Sequence, residues 1–113
     1  MARSPILENE IMDIVWDHAG WLTPSEVRVV LTRVMAPTTV ATVLTRLHDK
    51  GRLERRPRGK AFEYRATQTR EEYVASVMEA ALDRSHDRPL ALLEFIDRLP
   101  EGDRKRLRGL LRS

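Results

Sequence analysis

The stretch from residue 36 to residue 65 constrains the fold more than any other part of the chain. Pro37 suits the first position of a helix, because its missing N–H would have no partner there, and Gly51 suits the residue that ends one. Between them, apolar residues recur at i, i+3, i+4 and i+7, namely at Val40, Val43, Leu44 and Leu47. The sequence therefore predicts an amphipathic helix over residues 37–50.

The second half of this stretch has the pattern of a two-stranded hairpin, predicted over residues 53–65. Phe62 and Tyr64 alternate with smaller or polar residues at period two, and Arg58-Gly59 can form the tight turn. A helix followed by such a hairpin is the pattern of a winged helix-turn-helix. We therefore expect a mainly α (α+β) protein.

Two further helices are predicted before this stretch. Ser4-Pro5 can serve as the N-cap and first residue of one helix, and Gly20 can end it. Its apolar stripe consists of Leu7, Ile11, Ile14 and Val15. The other helix begins at a capping box formed by Thr23 and Glu26, and its stripe consists of Val27, Val30, Leu31 and Val34. Trp21-Leu22 between them can pair with the hairpin as a third edge strand.

After residue 67 the pattern changes to three short amphipathic helices. Thr69 can cap the first of them, and breaks near residues 85–89 and 100–103 separate the others. So short a region has too little mass for a stable core of its own. We therefore predict a winged-helix DNA-binding domain over residues 1–67 and a three-helix dimerisation domain over residues 68–113, with packing onto the chain's own N-terminal domain as the alternative. The predicted dimer contacts are Tyr73, Val74, Val77, Met78, Leu82, Leu92, Phe95, Ile96, Leu99, Leu107 and Leu110.

Basic charge is concentrated in the first of these two regions. Residues 1–67 hold 11 Lys and Arg against 8 Asp and Glu, whereas residues 68–113 hold 9 of each. An excess of this size permits a nucleic-acid partner, and its concentration at one hairpin favours that partner. A solvated basic loop is the alternative.

Two groups of side chains are candidates for contacts with duplex DNA. The polar face of helix 37–50, predicted to enter the major groove, carries Thr38, Thr39, Thr42, Thr45 and Arg46. Arg46 suits a bidentate guanine contact, with a phosphate contact as the alternative. The hairpin carries cations predicted to contact phosphates or the minor groove, namely Arg55, Arg56, Arg58 and Lys60. The remaining alternatives are a solvated helix face and a winged helix that serves as a protein–protein adaptor.

Other classes of protein are disfavoured by what the sequence lacks. It has no cysteine, which excludes disulfides and thiolate metal sites and fits a cytosolic protein. No glycine-rich phosphate loop, nucleophile elbow or metal-ligand spacing of histidines occurs, so we predict no enzyme, no cofactor and no metal. No apolar run approaches the roughly 20 residues of a membrane span, so we predict no membrane insertion and a cytoplasmic location.

Several blocks of sequence also match a known family in order. They are Leu7-Glu8 with Ile11-Met12 and Val15-Trp16, then residues 22–27, then Thr38-Thr39-Val40 through Arg46-Leu47 to Lys50-Gly51, and then residues 59–65. From about residue 7 to 111 the chain resembles the penicillinase-repressor family (BlaI/MecI type). The resemblance implies a homodimeric winged-helix repressor that binds palindromic operators through double-stranded DNA contacts.

The same resemblance implies inactivation by a sensor-linked protease, often at an Asn-Phe bond in the dimerisation domain. Asn9 is the only asparagine here, so that bond is absent. Copper-responsive relatives carry cysteine ligands near the C-terminus, and this chain has no cysteine. Pro37 stands where many members have an aromatic residue. The inducing signal therefore stays open.

Overall fold

Six helices and two strands form the described part of the chain, residues 5–113, in the computed structural model; the predicted N-cap Ser4 lies outside it. Their order is α1 (Pro5–Asp17), α2 (Pro24–Val30), α3 (Pro37–Asp49), β1 (Leu53–Arg58), β2 (Ala61–Ala66), α4 (Arg70–Asp83), α5 (Arg88–Arg98) and α6 (Glu101–Arg112). The predicted mainly α winged helix-turn-helix is confirmed. Two compact units are present, one that ends at Glu72 and one from Tyr73 to Ser113.

The core of the first unit is built on the apolar faces of α1 and α3. The stripe predicted for α3 is buried in full, at 0–4% exposure. It packs with residues of α1, α2 and the hairpin, namely Leu7, Ile11, Met12, Val15, Leu22, Val27, Leu31, Leu53 and Tyr64. Burial of one face of α3 leaves its hydroxyl-bearing face toward solvent.

Helix α2 is shorter than its apolar pattern predicts. The capping box is present, with the Glu26 amide donating to Thr23 Oγ1 (3.3 Å) and the Thr23 amide donating to Glu26 Oε1 (2.8 Å). The helix ends at Val30, because Leu31 adopts extended backbone angles (φ −57°, ψ 137°). The predicted stripe is therefore wrong beyond Leu31, and Val34 is 96% exposed. β-branched residues such as Val29 and Val30 favour helix less than unbranched ones.

The end of α1 also differs from the prediction. The helix stops at Asp17, three residues before Gly20, although Gly20 does adopt a left-handed conformation with φ 102°. The intervening residues form a bend. Gly20 therefore turns the chain after the helix and is not the residue at which the helix ends.

The hairpin pairs β1 and β2 antiparallel, from Leu53 opposite Ala66 to Arg58 opposite Ala61. Its two-residue loop is thus Gly59-Lys60, and the predicted Arg58-Gly59 turn is wrong by one residue. Gly59 has φ 61° and no other residue of the loop has a positive φ, which matches the glycine-first arrangement of type II′ turns. The predicted third strand is reduced to a single bridge, in which Leu22 and Tyr64 exchange backbone hydrogen bonds of 2.9 and 2.7 Å.

The segment after β2 is attached to α1. Trp16 Nε1 donates a hydrogen bond to the Gln68 carbonyl (3.0 Å), and Arg70 Nη2 lies 3.3 Å from Asp13 and 3.1 Å from Asp17. The hydrogen bond to Asp17, followed by that to Asp13, holds the pKa of the Arg70 guanidinium above its usual range, against a smaller opposing effect of burial. The chain up to the first turn of α4 therefore belongs to the first unit.

The second unit consists of the rest of α4 together with α5 and α6. As predicted, Thr69 caps α4, accepting from the Glu72 amide at 3.0 Å while the Glu72 carboxylate accepts from the Thr69 amide at 2.8 Å. Asp87 caps α5 through the Leu90 amide at 3.0 Å. All residues from 73 to 113 are described, and none of them is buried. Within residues 5–113, no helix has both the length and the apolar content to cross a bilayer.

Candidate nucleic-acid interface

The outer face of α3 presents hydroxyls beside two cations. Thr38, Thr42 and Thr45 are exposed, whereas Thr39 and Arg46 are half-buried. Toward the C-terminal end of the helix a shallow depression is lined by Thr42, Thr45, Arg46, Asp49 and Lys50. The α3 residues predicted to contact DNA thus share one face.

Glu8 on α1 lies against the cations of this face. It is 7% exposed. Lys50 Nζ donates to both of its carboxylate oxygens, at 3.0 and 3.1 Å, and Arg46 Nη1 lies 3.7 Å from Oε2. Sequence reasoning placed Glu8 only at the positive end of the α1 dipole, because its spacing along the chain carries no sign of a contact with α3. The contact arises from the packing of α1 on α3.

The hairpin has a similar buried carboxylate, Glu63 on β2, which is 6% exposed. Arg56 Nε donates to it at 2.6 Å, and Arg58 Nη1 lies 3.4 Å away. Arg58 Nη1 also lies 3.6 Å from Glu26 at the start of α2. Two of the predicted phosphate-binding arginines are therefore held in place by acids of the protein itself.

Several pKa and stacking effects accompany these ion pairs. Hydrogen bonds from the Thr23 backbone amide, and then from its hydroxyl, hold the pKa of Glu26 below its usual range, with a smaller contribution from Arg58. Burial acts weakly in the opposite direction. Glu26 is therefore an anion at neutral pH, available to Arg58.

Aromatic rings stack on the guanidinium groups of the hairpin. Arg55 lies 4.2 Å from the centre of the Phe62 ring, and both Arg56 (4.2 Å) and Arg65 (4.5 Å) lie over the Trp21 ring. Such cation–π contacts restrict the arginine rotamers. Lys60 differs, since it lies in the exposed loop at the tip. The predicted hairpin cations thus lie together, three of them supported by acids or rings and one at the tip.

Comparison with known proteins decides the family. A family model described as penicillinase repressor matches residues 6–113. The chain belongs to the penicillinase repressor family. Two relatives, each named transcriptional regulator BlaI, come from Mycobacterium tuberculosis strains CDC 1551 / Oshkosh and ATCC 25618 / H37Rv. Each is 34% identical over 116 residues, covering 98% of this chain and 84% of the relative.

Membership in the penicillinase repressor family settles the general role of the chain. It is a transcriptional repressor with a DNA-binding winged helix, and it is not an enzyme. The resemblance seen in the sequence is thereby confirmed, and the adaptor alternative loses its support. The roles of individual threonines and arginines stay predictions.

For this penicillinase repressor, we expect Lys60→Gln to weaken binding to all duplexes alike. A phosphate contact carries no sequence information, and its loss should lower the slope of log K against log salt by about 0.9. Affinity for operator and unrelated duplexes should be measured between low and physiological salt. Arg106→Gln, the same charge change on α6, is the control and should leave the slope unaltered. A changed base preference in the Lys60 variant would contradict a backbone role.

Proposed function

We propose that the repressor acts as a homodimer on a palindromic operator. The α3 face of each protomer enters a major groove, and each hairpin lies along the backbone beside it. The grouping of hydroxyls and Arg46 on α3 supports the first contact, and the cluster of cations on β1 and its loop supports the second. The dimer is held by α4, α5 and α6, in agreement with the family.

One observation carries the dimer, which is the absence of any buried residue from Tyr73 to Ser113. Val74, Val77, Met78, Phe95 and Ile96 are 37–50% exposed, and Leu110 is 66% exposed. Tyr73, Leu82, Leu99 and Leu107 are half-buried, and Leu92 is 43% exposed. Apolar surface of this extent is rare on a monomer and marks an interaction site. A second copy of the same helices offers the complementary surface.

Dimerisation also supplies a means of release. When two winged units are joined, binding of the second half-site becomes intramolecular, which raises the overall affinity. A cut between about residues 73 and 99, or another signal that separates the helices, removes this gain while every DNA-contacting residue stays intact. Because Asn9 is the only asparagine, a sensor-linked protease would have to cleave a bond other than Asn-Phe.

Selection of duplexes from a random library with purified protein should return inverted repeats. Two α3 helices related by a two-fold axis reach half-sites about one helical turn apart, roughly 10–10.5 base pairs between centres. The mass in solution should be twice the 13.1 kDa of the chain. Selected sequences without inverted symmetry, or a monomeric mass together with tight operator binding, would contradict the proposal.

A further inference from the structure

Within residues 6–113, the charged residues that are buried are two carboxylates, Glu8 and Glu63. Each lies against cations predicted to face DNA. Glu63 pairs within its own hairpin, whereas Glu8 connects two helices, since it lies on α1 and its cations lie on α3. A nearly buried acid is retained at a cost in hydration unless partners compensate it. Glu8 therefore merits a role beyond the packing of α1.

The geometry of the two contacts differs. Lys50 Nζ lies at hydrogen-bonding distance from both oxygens of Glu8, 3.0 and 3.1 Å. Arg46 Nη1 lies at 3.7 Å from Oε2, which is an ion pair but too long for a hydrogen bond. Arg46 is thus attracted to Glu8 while its hydrogen-bond donors remain available to a ligand. It shares the α3 depression with Thr42 and Thr45.

Building on the proposed function, we infer that Glu8 is a positioning residue for operator recognition. It acts through Arg46 and does not itself touch DNA. Its charge restricts where the long Arg46 side chain lies before DNA arrives, so that less freedom is lost when the guanidinium meets a base edge. A supporting carboxylate of this kind fixes the geometry of a recognition group.

The same carboxylate lowers the attraction of α3 for DNA of any sequence. Glu8 offsets part of the charge of Arg46 and Lys50, and it is this charge that drives binding to phosphates regardless of sequence. Specificity is the difference between operator affinity and affinity for other DNA. Glu8 thus widens that difference in two ways, by orienting Arg46 for the operator and by weakening attraction to unrelated duplexes.

The test compares E8Q with E10Q in the full-length chain. Both variants remove one negative charge from α1, but Glu10 pairs with Arg33 (2.6 Å) and not with a cation of α3. Affinities for the selected operator and for an unrelated duplex are measured over a range of salt. We expect E8Q to bind the unrelated duplex more tightly, with a salt slope steeper by up to about 0.9. The operator-to-unrelated ratio should fall about fivefold or more, the lower end of what one base contact contributes. E10Q should keep the wild-type ratio.

A second comparison separates positioning from general damage. In an R46Q background, E8Q should lower the ratio no further, because the residue through which it acts is gone. Thermal unfolding checks that each variant is folded. If E8Q does not fold, Glu8→Asp replaces it, since this change keeps the charge and withdraws the oxygens by one methylene. The same fall in ratio is then expected, without the steeper slope.

The inference is overturned if E8Q and E10Q have equal ratios, if E8Q still lowers the ratio in the R46Q background, or if a folded Glu8→Asp keeps the wild-type ratio. These results concern Glu8 alone. Failure of the proposed function would show differently, as a wild-type protein that does not distinguish the operator from the unrelated duplex.

Discussion

A fragment of residues 1–72 should bind the full operator about 10²–10⁴-fold more weakly than the intact chain, the usual gain from joining two binding modules. The fragment keeps α3 and the hairpin, so its contacts with one half-site and its weak attraction to any duplex should survive. What it loses is the second half-site, which becomes a separate binding event. The whole effect arises from residues that do not touch DNA.

The end of this fragment follows from the structure. Arg70 pairs with Asp13 and Asp17, and Gln68 accepts a hydrogen bond from Trp16, so a shorter fragment would remove contacts of the winged unit itself. With residues 1–72, a fall in affinity cannot be attributed to loss of those contacts.

Two measurements make the comparison decisive. The first is the mass and thermal unfolding of the fragment, which should be a folded monomer. The second is a control in which an unrelated two-stranded coiled coil replaces residues 73–113, and it should recover much of the lost affinity. A folded, monomeric fragment that binds the complete palindrome as tightly as the intact chain would refute the dimer-based mechanism.

The parts of the fold that could be predicted from sequence are those with a local signal. The apolar period of α3, with Pro37 at its start, predicted a helix that the structure contains, and all four residues of its stripe are buried. The capping boxes at Thr23 and Thr69 likewise depend on residues three apart in sequence. Such signals need no knowledge of the rest of the chain.

The errors occur where tertiary contacts overrule a local pattern. Val34 continues the stripe of α2 in sequence, but the helix ends four residues before it and the Arg28 side chain instead donates to the Met35 carbonyl (2.7 Å). The hairpin turn shifted by one residue because the pairing of Leu22 with Tyr64 and the burial of Leu53 set the register, which the loop sequence alone leaves open.

The candidate site shows the same division. Its cations and hydroxyls could be named from sequence, since they lie on one face of one helix or in one hairpin. Glu8 and Glu63 could not be assigned to them. Glu8 lies 38 positions from Arg46 and 42 from Lys50, and only the packing of α1 on α3 brings these groups within 3.0–3.7 Å. Glu63 alternates with Phe62 and Tyr64 as a solvent-facing residue would, and it is buried because Arg56 and Arg58 lie close to it.

Substitution of Arg46 by Gln should cost about 1–3 kcal/mol of operator affinity for each half-site, the range for a good bidentate base contact. Preference should flatten at one base pair in each half of the palindrome, at symmetry-related positions, because a homodimer carries the change twice. The measurement is a repeat of the duplex selection with the variant, together with its affinity for the wild-type operator and for single-base changes of it.

Arg58→Gln is the matched control, since it removes the same charged group from the hairpin. Arg58 is held between Glu63 and Glu26, at 3.4 and 3.6 Å, and its predicted partner is a phosphate. That variant should bind every duplex more weakly and keep the wild-type base preference. If instead Arg58→Gln altered the selected sequence and Arg46→Gln did not, the roles of helix and hairpin would be exchanged. Sequence would then be read by the hairpin, and α3 would hold the backbone.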